Sequence, residues 1–311
     1  MSGTPAPRTP FPDTGRAVLL VVAYVSAQAI VGFFVGMVAA IVGHGDIPSV
    51  GSVMGDAWVL LLMLVPSAMG MLALGLYLAR ETPAQFFRLR PFPVALVPAI
   101  VVTAVGASFV LIEVDNAICH VLALALAPKK LPPDLLDMAA APVGAFVLAV
   151  VAAPWLEEYF FRGLILRGLL ARHRTSAAVI LNAVLFGLMH ANFRQFVLGT
   201  VIGLIFGWWY ARTRSVAPGI VGHMVFNSTS WVAAQWPVLA TLGLGRQDGV
   251  VRHEPWWLFL GGAGLLAGGL LLFHRLCPSL PPPEPSPELP PTDEPPLLDQ
   301  PPLLASPPPS L

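Results

Sequence analysis

The chain has 311 residues, 56% of them hydrophobic and 11% charged, with a net charge of zero and a mean hydropathy of +0.75. Soluble domains carry about a quarter of charged residues, so this composition excludes a soluble globular protein and points to an all-α, polytopic membrane bundle embedded in a lipid bilayer. The zero balance offers nothing to a nucleic acid, and Cys119 and Cys277 have neither metal-ligand spacing nor the pattern of a disulfide framework.

Residues 1–16 are polar and proline-rich, with Arg8 and Arg16 ahead of the first apolar run. That run starts at Ala17 and is too long for a signal-peptide core, so a spanning helix is expected and no cleavable signal. Further apolar runs lie at about 57–79, 92–114, 140–170, 176–193, 195–211, 216–240 and 255–276, which makes eight expected membrane helices with the first at 17–43. The fifth and sixth are separated only by the short polar break Asn192–Gln195. Residues 116–127 are apolar but too short to span comfortably, and are expected as an interfacial or re-entrant helix before Lys129-Lys130-Leu131-Pro132-Pro133. Pro66, Pro98 and Pro154 fall inside apolar runs and predict kinks there.

With the N-terminus inside, 12 Lys and Arg fall in inner connections and 5 in outer ones, which predicts both termini in the cytoplasm; a bacterial-type inner membrane is the expected location. The expected organisation is a cytoplasmic segment at 1–16, N-terminal membrane helices at 17–139, a catalytic membrane core at 140–240, a last helix at 241–276 and a tail at 277–311. The tail holds 15 prolines and five acids in 35 residues, with no basic residue. It cannot build a core and is expected to be disordered, with PxxP spacings open to a partner protein.

Three polar clusters interrupt the apolar core. The first is Glu157-Glu158-Tyr159-Phe160-Phe161-Arg162. An ionised carboxylate in a bilayer costs about 2.5–3.5 kcal/mol on insertion scales, so such a pair is a functional-site candidate by default. Glu158 and Arg162 are four apart on one helical face and are expected to pair, while Glu157 lies about 100° round the helix and stays available. The second cluster is Phe186-Gly187-Leu188-Met189-His190, with Asn182 on the same face; the third is His223-Met224-Val225-Phe226-Asn227. At a rise of about 1.5 Å per residue, their depths match the glutamates only if the fourth helix continues through Gly163–Leu170.

Two acids, two histidines and an amide suffice to hydrolyse a peptide bond through an activated water. A glutamate with a histidine can hold and deprotonate the water, and a histidine with an asparagine can donate to a developing oxyanion. No metal is expected. A zinc alternative would use Glu157, His190 and His223 as ligands with Glu158 as base, although HExxH spacing is absent. Each cluster also has a bland reading, as a structural ion pair, a packing histidine or an interhelical hydrogen bond. His44, His120, His173, His253 and His274 read as surface residues, Ser228–Ser230 as locally packed, and Trp208-Trp209-Tyr210 as an interfacial aromatic belt.

Taken together, EExxxR, FxxxH and HxxxN in this order on successive membrane helices resemble the CPBP intramembrane proteases, which include the type II CAAX prenyl endopeptidases and Abi-type bacteriocin-processing and immunity proteins. The resemblance covers about 140–235. It implies that Glu157 activates the hydrolytic water with His190, that His223 and Asn227 stabilise the oxyanion, that Glu158 and Arg162 support the site and that Phe186 packs beneath it. It also implies a site open towards the cytoplasm and a membrane-associated protein or peptide as substrate: a lipidated C-terminus, a bacteriocin precursor or a C-terminal anchor. Two other classes remain, a membrane scaffold or immunity protein acting through its tail, and a proton-coupled transporter. No repeated half is evident, which argues against the transporter.

Overall fold

The computed structural model describes residues 11–42, 56–86, 89–126, 141–244 and 251–277. The loop with Lys129 and Lys130, the segment with His44 and the proline-rich tail beyond Cys277 lie outside the described residues. Within them the chain is helical and contains no strand. Eight helices carry the architecture: α1 Thr14–Val42, α2 Ala57–Ala79, α3 Val97–Leu126, α4 Pro142–Leu170, α5 Thr175–Met189, α6 Phe193–Thr213, α7 Ala217–Gln235 and α8 Trp256–Leu276.

Six of these, α1, α2, α3, α4, α6 and α8, are long and apolar enough to cross a membrane. The expectation of eight spans is not reached. α5 has only 15 residues, about 22 Å at 1.5 Å per residue against a hydrocarbon core of about 30 Å. α7 has 19 residues, and its apolar surface is interrupted by His223, Asn227, Ser228, Thr229 and Ser230. These two shorter or more polar helices bring histidines into the interior. The protein is an integral, multi-pass membrane protein.

α4 is the central helix, continuous from Pro142 to Leu170 as the depth match requires. It is not uniformly α-helical. Phe146–Ala152 and Tyr159–Leu166 are π-helical, with Ala153–Glu158 as an α-helical segment between them. All eight residues of Tyr159–Leu166 are buried. They form the middle of the main core with Tyr24 of α1, Leu72 of α2, Ile100 of α3, Phe186 of α5, Phe206 of α6 and Ile220 of α7. By contrast, only 17% of the apolar window is buried in α1 and in α8. Leu19, Phe33 and Ile41 of α1 and Trp256 and Leu271 of α8 face outward, as lipid-facing side chains do.

Two further expectations need correction. The interfacial or re-entrant helix expected at 116–127 is not separate, because α3 runs unbroken to Leu126. The polar residues within α3 are satisfied by neighbours: Asp115 takes a two-point ion pair from Arg194 at 2.7 and 2.6 Å, and Asn116 donates to the Gly243 carbonyl at 2.9 Å. Trp209 and Tyr210 do not form an interfacial belt either. Trp209 is fully buried, its ring 5.4 Å from Phe206 and 5.5 Å from Phe273. Consecutive helical residues point about 100° apart, so only Trp208 keeps an aspect towards the rim, under the Arg212 guanidinium. His120 and His253 are exposed as expected, yet they are linked to one another at 3.2 Å, and His253 bonds Glu113 at 2.6 Å.

The α5–α6 break is short because the chain chemistry is sufficient. Ala191 adopts a left-handed φ of 50°, and the Asn192 side chain accepts from the N–H groups of Arg194 and Gln195, an N-cap of the ordinary kind. The two helices then pack closely, since a Cβ on Gly187 would lie 2.4 Å from Thr200 Oγ1 and 2.5 Å from the Phe196 carbonyl.

Candidate active site

The α4 register presents Glu157 and Glu158 at the end of the α-helical segment and Arg162 inside the second π stretch. Glu158 and Arg162 are fully buried, and Nη1 of Arg162 donates to Glu158 Oε1 at 2.9 Å, the pair expected from their spacing. Arg162 Nη2 donates to the Gly203 carbonyl of α6 at 3.2 Å. Its guanidinium lies 4.6 Å over the Phe186 ring and 5.5 Å from that of Phe206, contacts that favour a desolvated cation. Removing one partner of such a pair leaves an uncompensated buried charge, at a cost of about 3–5 kcal/mol.

His223 of α7 sits between the two carboxylates. Its Nδ1 is 3.3 Å from Glu158 Oε1, and its Nε2 is 4.0 Å from Glu157 Oε2. A carboxylate held by Arg162 accepts, so Nδ1 carries the proton and Nε2 is left as the acceptor. Glu157 is 7% exposed and has no hydrogen bond among the described residues; its separation from Nε2 is too long for a direct bond and short enough to share a water. Gly219, one turn before His223, makes room for this arrangement: a Cβ there would lie 2.3 Å from Glu158 Oε2.

His190 ends α5, and its Nδ1 bonds the Phe186 carbonyl at 3.0 Å. Since a carbonyl only accepts, Nδ1 again carries the proton and Nε2 is free to accept. No hydrogen bond or ion pair joins His190 to Glu157 among the described residues. The link between the histidines is the Phe186 ring, 5.3 Å from His190 and 6.0 Å from His223, and also 5.0 Å from Phe161.

Both asparagines are tied to the widened stretches of α4. Asn182 donates to the Phe161 carbonyl at 3.0 Å, and Asn227 to the Ala149 carbonyl at 2.7 Å. Asn182 therefore serves α4 rather than His190. The Asn227 amide has one N–H engaged and a second remaining. Ser228 and Thr229 bond back to the carbonyls of Met224 and Phe226, as local packing predicts. Sequence reasoning missed Gly219, Phe206 and the carbonyls of Ala149 and Gly203. Gly219 carried a signal, four residues before His223 on the same face; the others carried none.

Among the described residues no three His, Cys, Asp or Glu side chains are placed to hold one metal ion.

The stretch that holds this site is similar to known proteins. Residues 139–229, the stretch from the start of α4 to just past Asn227, match the family described as Type II CAAX prenyl endopeptidase Rce1-like. Among curated proteins, the chain is 30% identical over 94 residues to “Putative membrane peptidase YdiL” of Bacillus subtilis (strain 168), a match covering 30% of this chain and 38% of the relative. The chain thus spans well under half the length of that relative. No solved structure matches. Through its α4–α7 core, the chain is similar to the Rce1-like endopeptidases and to that membrane peptidase, a likeness that supports the CPBP resemblance.

Proposed function

We propose that this protein is an intramembrane endopeptidase that hydrolyses a peptide bond near the terminus of a membrane-associated protein or peptide. The carrying observation is the unequal state of the two carboxylates. Glu158 is held by Arg162 at 2.9 Å and by His223 at 3.3 Å, whereas Glu157 faces His223 Nε2 at 4.0 Å and keeps both oxygens free of hydrogen bonds among the described residues. Glu157 is the base. With the acceptor Nε2 of His190 it holds a water, and takes a proton as the water oxygen attacks the scissile carbonyl carbon. The carbonyl π electrons move onto oxygen, and the oxyanion is met by the second Asn227 N–H and by His223 once Glu157 has passed the water proton to its Nε2. The proton returns to the leaving nitrogen as the C–N bond breaks, leaving a carboxylic acid and an amine. Glu158 and Arg162 keep His223 in its tautomer, and Phe186 spaces the imidazoles. Both termini lie in the cytoplasm in this reading, and the site opens to that side.

The test compares cells carrying the wild type with cells carrying Glu157→Gln, using quantitative terminal-peptide mass spectrometry of their membranes. New termini lost in the variant support the reading and identify the substrate. Identical termini, with the variant stably inserted, refute it. A phenotype lost only on deleting 279–311 would instead favour a scaffold acting through the tail.

A further inference from the structure

Three residues before the first glutamate, α4 carries a proline in its interior. In the wide turn that precedes it, main-chain N–H groups reach back five residues, as the bond from Ala153 N–H to the Leu148 carbonyl records. The next donor in that register belongs to residue 154 and its acceptor is the carbonyl of Ala149. Pro154 has no N–H. That carbonyl is instead met by Asn227 Nδ2 of α7 at 2.7 Å. On the same face of α7, one turn earlier, His223 meets Glu158 at 3.3 Å. The two helices are therefore joined at two points along α4, Ala149 and Glu158, with Glu157 between them.

We propose that Pro154 and Asn227 are a matched pair: the proline removes one main-chain donor from the site helix, and the asparagine supplies it. This fixes the asparagine amide and the α4–α7 register around Glu157. An amide is planar, so holding one N–H on Ala149 sets the direction of the other, which is what a donor to a developing oxyanion requires. Pro154 is a positioning residue acting through Asn227. Only the kinetic part of this inference rests on the protease reading. The rival reading is an ordinary interhelical hydrogen bond that does not depend on the proline.

A double-mutant cycle on the full-length protein in detergent separates them. Asn227→Ala leaves the Ala149 carbonyl unsatisfied and lowers the apparent Tm by several degrees. Pro154→Ala returns the main-chain donor and leaves Tm unchanged or higher. In the Pro154→Ala background, Asn227→Ala then costs about half as much or less. Asn227→Asp, which keeps the shape but has a carboxylate that only accepts, follows the same pattern. Equal losses in both backgrounds overturn the pairing. If Asn227→Ala does not insert stably, recovery of insertion by Pro154→Ala supports the pair and continued failure overturns it. The kinetic arm uses the peptide identified by the terminal-peptide comparison. Pro154→Ala lowers kcat several-fold at unchanged KM despite undiminished stability, because the amide is released from its anchor; unchanged kcat overturns the positioning role. A wild type that cleaves nothing counts against the protease reading, and the stability cycle still decides the pair.

Discussion

Gly219→Ala adds one methyl group at the most confined point of the site. Its Cβ would stand 2.3 Å from Glu158 Oε2 and 3.0 Å from Glu158 Cδ, where an ordinary contact begins at 3.4 Å. About 1.1 Å must be found. The carboxylate cannot yield freely, because Oε1 is held by Arg162 at 2.9 Å and by His223 Nδ1 at 3.3 Å, and neither Glu158 nor Arg162 reaches the surface. Overpacking a well-filled core costs about 1–3 kcal/mol, rising towards about 3–5 kcal/mol if the shift strips Arg162 of its partner. The loss should show as a lower apparent Tm in mild detergent. It should be accompanied by a fall in peptide hydrolysis, since His223 moves with Glu158. Gly264→Ala on α8 is the control: its Cβ meets nothing within 4 Å, and a helical glycine-to-alanine change should be neutral or stabilising by about 0.5–1 kcal/mol. If Gly219→Ala matches Gly264→Ala in both stability and activity, the confinement argument is wrong.

The two glutamates should separate stability from activity. Glu157→Gln should cost two orders of magnitude or more in hydrolysis, within the roughly 10²–10⁴ of a general base, with little change in Tm. Glu158→Gln should cost about 3–5 kcal/mol of stability by leaving Arg162 buried and uncompensated; the reverse ordering would exchange the roles assigned here. Just before α8, burial, with the charge of Glu113, pushes the Glu254 carboxyl up to about 7 from 4.5. Its folded value is raised, so the stability linked to it is present below about pH 4.5 and lost as pH rises through 7. Apparent Tm measured from pH 4.5 to 7.5 should decline in the wild type and flatten in Glu254→Gln, and an unchanged slope in the variant would assign the decline elsewhere.

The class of the protein and the long fourth helix were legible because bilayer insertion acts on composition and run length. The Glu158–Arg162 pair was legible because four-residue spacing is set by backbone geometry. Other features depend on partners that sequence spacing does not reveal. The helix expected from residue 116 onward is part of α3, whose polar Asp115 and Asn116 are satisfied by Arg194 and Gly243, far along the chain. Trp209 and Tyr210 turned inward because other helices surround that face of α6. Most consequential, the residues alone left open which histidine serves Glu157, and the resemblance implied His190; the fold adds His223 between the glutamates and ties His190 Nδ1 to the Phe186 carbonyl. The widened turns of α4 change which residues face α7, and no residue type marks a π stretch as plainly as glycine marks a turn.

Phe186 explains how these groups coexist without collapsing on one another. In a water-poor interior a charge is drawn strongly to the nearest donor or acceptor. Four ionisable or hydrogen-bonding side chains within a few ångströms would otherwise condense into one closed network with no acceptor left for a water. Phe186 occupies the centre, with Arg162 at 4.6 Å on its face and the imidazoles of His190 and His223 meeting it nearly edge-on, at 85° and 83°. Each histidine then finds its Nδ1 acceptor elsewhere, His190 on the Phe186 carbonyl and His223 on Glu158. Both Nε2 atoms stay unspent. An apolar ring thus leaves an open Nε2 on each imidazole, that of His223 facing Glu157. Replacing it with a smaller residue would allow His223 or His190 to close onto the ion pair, so the damage to hydrolysis would exceed what the lost packing alone explains.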